Sequence, residues 1–99
     1  MILHWTVRAE ARPRRIQDYI AEHNPSAATR MIERILKRSL TIPAAPRAGR
    51  RVPEYDRDDI REIFEHPYRI IYRLKPRQID VIVVMHVRQL LPDDLSRLR

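Results

Sequence analysis

Cysteine is absent from this chain of 99 residues. That excludes disulfides and thiol catalysis, and it fits a reducing cytosol. Glycine occurs once, at Gly49, so the chain has no glycine-rich phosphate loop. No nucleophile motif is present either. The four histidines, His4, His23, His66 and His86, fall in no metal-ligand spacing. No metal, cofactor or small-molecule substrate is therefore expected. The amino-terminal segment MILHWTVRAEARPRR lacks the apolar core of a signal peptide. No apolar run approaches the roughly 20 residues needed to span a bilayer. The expectation is a soluble, cytoplasmic protein with no membrane partner.

Lysine is nearly missing too. Only Lys37 and Lys75 are lysines among twenty basic residues, and the other eighteen are arginines. The net charge is +7 and the sequence pI about 10.7. A guanidinium offers a planar fork that fits phosphate or carboxylate, which an ammonium does not. A GC-rich coding sequence would produce the same bias without a functional cause. Either way, such a surface attracts acidic partners, nucleic acid or protein. The length suits one domain, 1–99, with a modest core.

ILHWTV (2–7) is short, β-branched and aromatic, and reads as a strand. Ala9, Pro13, Ile16, Tyr19 and Ile20 then follow a helical stripe. Pro13 either starts this helix or kinks one that begins near Thr6. After EHNP, Asn24 is placed to cap a second helix over about 25–41, with Pro25 as its first residue. Ala28, Met31, Ile32, Ile35, Leu36 and Ser39 share one side of it. The short connection makes the two helices an antiparallel hairpin. Residues 42–53, with three prolines and the glycine, read as a mobile loop. Its arginines, Arg47, Arg50 and Arg51, are either solvated or available to an anion. DIREIFE (59–65) reads as a strand feeding HPYRIIYRLKPRQIDVIVVMHVR (66–88), a β-hairpin turning at Pro76–Arg77.

In that hairpin, Arg73 would face Asp80, Ile71 would face Ile82, and Arg69 would face Val84. Leu74, Tyr72, Ile70 and Tyr68 would meet Ile79, Val81, Val83 and Met85 on the core side. Slipping the register by one would bury Arg69 and Arg73, which argues for this pairing. Arg73 and Asp80 would form a cross-strand ion pair. Arg69 would lie diagonal to His86, with Arg88 on the same side. If Glu65 opposes Tyr68, Glu62 joins them.

Glu62, Arg69, His86 and Arg88 around one patch are the ingredients of RNA cleavage. Glu62 would be base, His86 acid, and the two arginines would hold the phosphorane charge. The competing reading is structural: Glu62 and Arg69 pair with each other, and His86 caps the sheet.

The order of elements, the segment DYIAEHNP, and the strands carrying YRIIYR and the H-x-R end resemble the RelE/ParE toxin superfamily of type II toxin–antitoxin systems. The resemblance covers nearly the whole chain. It implies an α+β fold, with an N-terminal strand and antiparallel helix hairpin packed on a small, mainly antiparallel β-sheet. It also favours a first helix starting near Thr6 and kinked at Pro13.

ParE-like members are DNA gyrase poisons, and RelE-like members cut mRNA on the ribosome. By resemblance, Arg69 and Arg88 match arginines of the RelE nuclease site, and Arg61 falls where RelE has a lysine. RelE's carboxyl-terminal tyrosine is missing from LLPDDLSRLR. A second nuclease branch uses Glu, Arg and His, which Glu62, Arg69 and His86 would imitate. The long helix hairpin looks more like ParE. The implied function is a ParE-like, plasmid-stabilising toxin without catalysis, neutralised by a cognate acidic antitoxin that folds onto it. The alternatives are a ribosome-dependent endoribonuclease and a non-toxic binding module. Arg50, Arg51, Arg61, Arg69 and Arg88 are the candidates for an anion or target. Tyr19, Met31, Ile35 and Tyr68 are the candidates for the antitoxin groove.

Overall fold

Strands rich in isoleucine, valine and tyrosine build a five-stranded sheet in this computed structural model, which describes residues 1–6, 9, 20–22 and 24–93. The strands are β1 (Ile2–Trp5), β2 (Arg50–Arg51), β3 (Ile60–Glu65), β4 (Tyr68–Leu74) and β5 (Gln78–His86). Their spatial order is β1-β5-β4-β3-β2. β1 runs parallel to β5, and every other pairing is antiparallel. The helix α1 (Pro25–Ser39) packs on the sheet, giving an α+β fold. The first of the two expected helices, with Pro13 and Tyr19, lies outside the described residues apart from isolated positions.

α1 begins as its sequence directs. Asn24 has extended backbone, φ −158°, and its side chain accepts from the Ala27 amide at 3.1 Å. Pro25 occupies the first turn, where its missing N–H costs nothing. Lys37 and Arg38 sit in the last turn, where the helix dipole favours cations. Ala28, Ile35 and Ser39 face inward, while Leu36, expected on that side, is exposed. Ile35 joins Ile42, Ile70, Tyr72, Ile79, Val81 and Val84 in one core cluster. Each fully buried side chain of this size contributes roughly 1.5–3 kcal/mol.

Residues 42–53 are more ordered than their prolines suggest. Ile42–Ala44 form a 3-10 turn, and Arg50–Arg51 pair with β3. The Val52 amide donates to the Ile60 carbonyl at 3.1 Å, and Val52 is fully buried. The chain here passes so close to β4 that a Cβ on Gly49 would strike the Tyr72 hydroxyl and approach the Glu62 carbonyl at 2.7 Å. The Tyr72 hydroxyl donates to the Pro46 carbonyl at 2.6 Å, fastening the segment to the sheet.

The β4–β5 hairpin corrects the expected register. From the turn, Leu74 pairs with Ile79, Arg73 with Asp80 and Tyr72 with Val81, as expected. A bulge then intervenes, and Ile71 pairs with Val83, Ile70 with Val84, Arg69 with Met85 and Tyr68 with His86. The run Val81–Met85 is apolar throughout, so it has no alternation to hold one register. Ile82 and Val83 both enter a second buried cluster with Val52, Ile60, Ile71 and Met85, on the sheet face away from α1. The premise that Arg69 must stay exposed also fails, because Arg69 is only 6% exposed.

The expected Arg73–Asp80 ion pair is replaced by two others. Arg73 lies beside Asp59, with Nε 3.3 Å from Oδ2, because β3 brings Ile60 opposite Arg73. Asp80 accepts from Lys75 and Gln78, each at 2.6 Å, and lies 3.2 Å from His4 of β1. Burial alone would raise the Asp80 carboxyl. The hydrogen bonds from Gln78, Lys75 and His4 overcome this and hold it below its ordinary value.

Candidate functional site

The register of β3 on β4 sets the candidate patch. The condition that Glu65 oppose Tyr68 is met, so Glu62 pairs with Ile71 and stands diagonal to Arg69. The Arg69 Nε donates to Glu62 Oε1 at 2.6 Å. The other Glu62 oxygen accepts from Arg50 Nε, also at 2.6 Å. The forked end of Arg69 meets Glu54 in a bidentate pair, at 2.8 and 3.1 Å. The result is a chain of alternating charge, Arg50–Glu62–Arg69–Glu54, that sums to zero.

Burial makes this arrangement tight. The Glu62 side chain is fully buried, and Arg69's is 7% exposed. Burial opposes the Arg69 charge, but hydrogen bonds to Glu54 and Glu62 outweigh it and raise its pKa further. The Arg69 hydrogen bond correspondingly holds the Glu54 carboxyl below its ordinary value. Short, charge-assisted contacts of this kind offset the desolvation of both ions. Glu54 was not foreseen, because it lies fifteen positions before Arg69 in a proline-rich segment with no strand periodicity.

His86 is not part of this patch. The bulge puts it opposite Tyr68, on the α1 side of the sheet, where the two rings meet edge-on at 5.7 Å. Arg69 instead shares its face with Met85. Arg88 follows in a turn, is exposed, and donates its backbone N–H to His86 Nδ1 at 3.1 Å. Among the described residues, no carboxylate lies within ion-pair distance of the Arg88 guanidinium. Of the four nuclease candidates, Glu62 and Arg69 therefore pair with each other, while His86 meets Arg88 instead.

The remaining anion candidates also have partners. Arg61 donates to Asp58 at 2.6 Å and to the Gly49 carbonyl at 3.1 Å, pinning two loops. Hydrogen bonds from Arg47 and Arg61 keep the Asp58 carboxyl below its ordinary value. Arg51 lies 3.3 Å from Asp56, and Arg50 adds a cation–π contact with Phe64 at 5.2 Å to its Glu62 bond. Among the groove candidates, Ile35 and Tyr68 are buried in the main core cluster, and Met31 packs against it. Tyr19 lies outside the described residues. The described residues contain no group of three or more His, Asp or Glu able to hold a metal. None of their helices is long and apolar enough to cross a membrane.

Fold and site thus define a small basic α+β protein whose candidate base, Glu62, is held by Arg50 and Arg69 and is separated from the candidate acid, His86. Comparison with known proteins gives the family. The family model described as the ParE toxin of type II toxin–antitoxin system, parDE, matches residues 3–91. The Sinorhizobium fredii (strain NBRC 101917 / NGR234) protein named "Putative toxin Y4kP" is 34% identical over 98 residues, covering 94% of this chain and 95% of that one. A solved structure described as the chromosomal ParDE TA system from P. aeruginosa shares the fold, with a TM-score of 0.75 at 23% identity. The match covers 89% of this chain and 97% of that one. The chain belongs to the ParE toxin family. It is the toxin of a type II toxin–antitoxin system, and its partner is an antitoxin.

Proposed function

We propose that this toxin acts in the cytoplasm as a single domain that inhibits DNA gyrase by binding, with no catalysis of its own, and that an acidic antitoxin neutralises it. The observation that carries the non-catalytic reading is the closed Arg50–Glu62–Arg69–Glu54 chain. A general base must reach the proton it removes. Both Glu62 oxygens are occupied by arginines, and the carboxylate is shielded from water. His86 stands on the other face of the sheet and cannot donate to the leaving oxygen of the same phosphate. The gyrase target rests on family membership, and the basic surface suits an acidic antitoxin segment.

The test is induced expression without antitoxin, scored for growth, transcript ends by primer extension, and the DNA-damage response, alongside gyrase supercoiling with purified protein. The expected result is arrest with intact transcripts, DNA damage and impaired supercoiling. His86→Ala should keep the toxicity. Codon-positioned mRNA cuts that vanish in His86→Ala would replace this reading with a ribosome-dependent nuclease. Harmless expression at confirmed protein levels would replace it with a non-toxic binding module.

A further inference from the structure

We propose that the flank of α1 bearing Arg30, Arg34 and Arg38, continued around the β3 edge by Phe64 and Arg50, binds single-stranded nucleic acid. The three arginines are four residues apart and form one row, with about 6 Å of helix rise between neighbours. Arg30 is exposed, and among the described residues no carboxylate lies within ion-pair distance of it. The Arg34 side chain is 57% exposed and, among the described residues, its ion pair is with Glu65 at 3.1 Å. Among the described residues, the Arg38 side chain donates to a neutral group, the Phe64 carbonyl, at 3.3 Å, and meets no carboxylate. Lys37 is exposed beside the row, and Glu33 is the one acidic residue in α1.

The contrast with the sheet is sharp. Arg47, Arg51, Arg57, Arg61, Arg69 and Arg73 each meet a carboxylate. On the helix flank, Arg30 and Arg38 have no such partner among the described residues, and they are brought into one row with Arg34, whereas Arg77 and Arg88 stand singly elsewhere.

Phe64 points to the kind of anion. It is 38% exposed, and Arg50 lies over its ring. An exposed aromatic ring with a guanidinium is a platform for a nucleobase, while the arginine row suits the phosphates that follow. Phe64 shares its sheet face with Arg69, away from α1, and Arg38 marks the edge between the two. A ligand touching both row and ring must bend around that edge. A flexible single strand does so readily, whereas duplex DNA has a persistence length of about 150 bp.

This reading does not depend on the gyrase assignment. Its test is fluorescence anisotropy of labelled oligo-dT with the purified full chain over a range of salt. Binding should weaken with salt. Arg30→Gln should reduce the slope of log affinity on log salt by about 0.7, the value for one phosphate contact on a single strand. Arg77→Gln removes another exposed arginine, at the β4–β5 turn, and should leave affinity and slope nearly unchanged. Phe64→Leu should weaken binding about fivefold or more with the slope preserved, because stacking releases no counterions. Thermal midpoints of the variants confirm that they are folded. Undetectable binding at low salt overturns the proposal. So do equal losses from Arg30→Gln and Arg77→Gln, which would mean net charge alone. Displacement of oligo-dT by poly-glutamate at lower charge concentration than by unlabelled oligo-dT would assign the surface to an acidic protein instead.

Discussion

On the sheet face toward α1, Ile70, Tyr72, Val81 and Val84 are buried against Ile35 and Ile42. On the opposite face Val52, Ile60, Ile71 and Val83 share the interior with Glu62 and Arg69. Both faces exclude water, and neither leaves a buried side-chain polar atom unpartnered among the described residues. The first face achieves this mainly with apolar atoms and with tyrosines, the Tyr72 hydroxyl donating to the Pro46 carbonyl. The second achieves it with full charges, each neutralised within 2.6–3.1 Å. The difference bears on function. An arginine cluster signals a ligand only after its carboxylates have been counted, and on the second face the count leaves no charge over.

The largest expected effect comes from breaking that neutrality. Glu62→Ala leaves Arg69 buried with Glu54 alone and should cost about 3–5 kcal/mol. For a domain of this size the thermal midpoint should fall by roughly 12 °C or more. Ile70→Ala on the other face should cost a similar amount, about 2–5 kcal/mol, through its cavity. A pair of substitutions separates the two mechanisms. Glu62→Leu with Arg69→Met should recover most of the loss, since apolar replacement of a buried ion pair is often neutral. Thermal melts of the single and paired variants decide the matter. A pair as unstable as Glu62→Ala would show that the charges hold the sheet in a way apolar packing cannot.

Gly49 lies where the two faces meet, against the Tyr72 hydroxyl from one and the Glu62 backbone from the other. Gly49→Ala should destabilise by about 1–3 kcal/mol through overpacking. Tyr72→Phe in that background should return part of the loss by removing the nearest atom. If urea titrations find the two substitutions simply additive, the clash lies with the Glu62 carbonyl and belongs to the charged face.

Much of this was legible in the residues. The helix start at Asn24–Pro25 and the turn at Pro76–Arg77 follow from capping and turn rules. The Glu62–Arg69 contact was legible only on the condition that Glu65 opposes Tyr68, which the β3–β4 register meets. The bulge was not, because Val81–Met85 reads the same in either register. Its consequence, His86 turned toward Tyr68, broke the imagined catalytic patch. Two further features depended on tertiary approach and carry no local pattern: the arrival of Glu54 at Arg69, and the use of Arg61 as a loop clamp.

Asp80 offers a milder probe of the charged face, where three donors converge on one carboxylate. Its folded pKa lies below the ordinary value. The stability it contributes is therefore complete above the ordinary carboxylate pKa of about 4 and is lost as pH falls through the folded value. Glu54, also depressed, contributes to the same acid limb. Asp80→Asn should flatten the fall of thermal midpoint below about pH 4 and leave the curve near neutrality parallel to wild type. An unchanged acid limb would assign the whole of it to other carboxylates.

The smallest effect is expected where an ion pair is wet. Arg34 and Glu65 meet at 3.1 Å, close to the distances of the buried network, but the Arg34 side chain is 57% exposed. Water competes for both ions, and holding a long side chain in place costs entropy. Arg34→Ala should therefore cost no more than about 1 kcal/mol, and raising the salt should shrink the difference. Comparing its urea midpoint with that of Glu62→Ala separates distance from burial as the source of strength. If Arg34→Ala proved as costly as Glu62→Ala, the burial argument would fail. The charged face would then differ from the helix flank only in the number of its carboxylates.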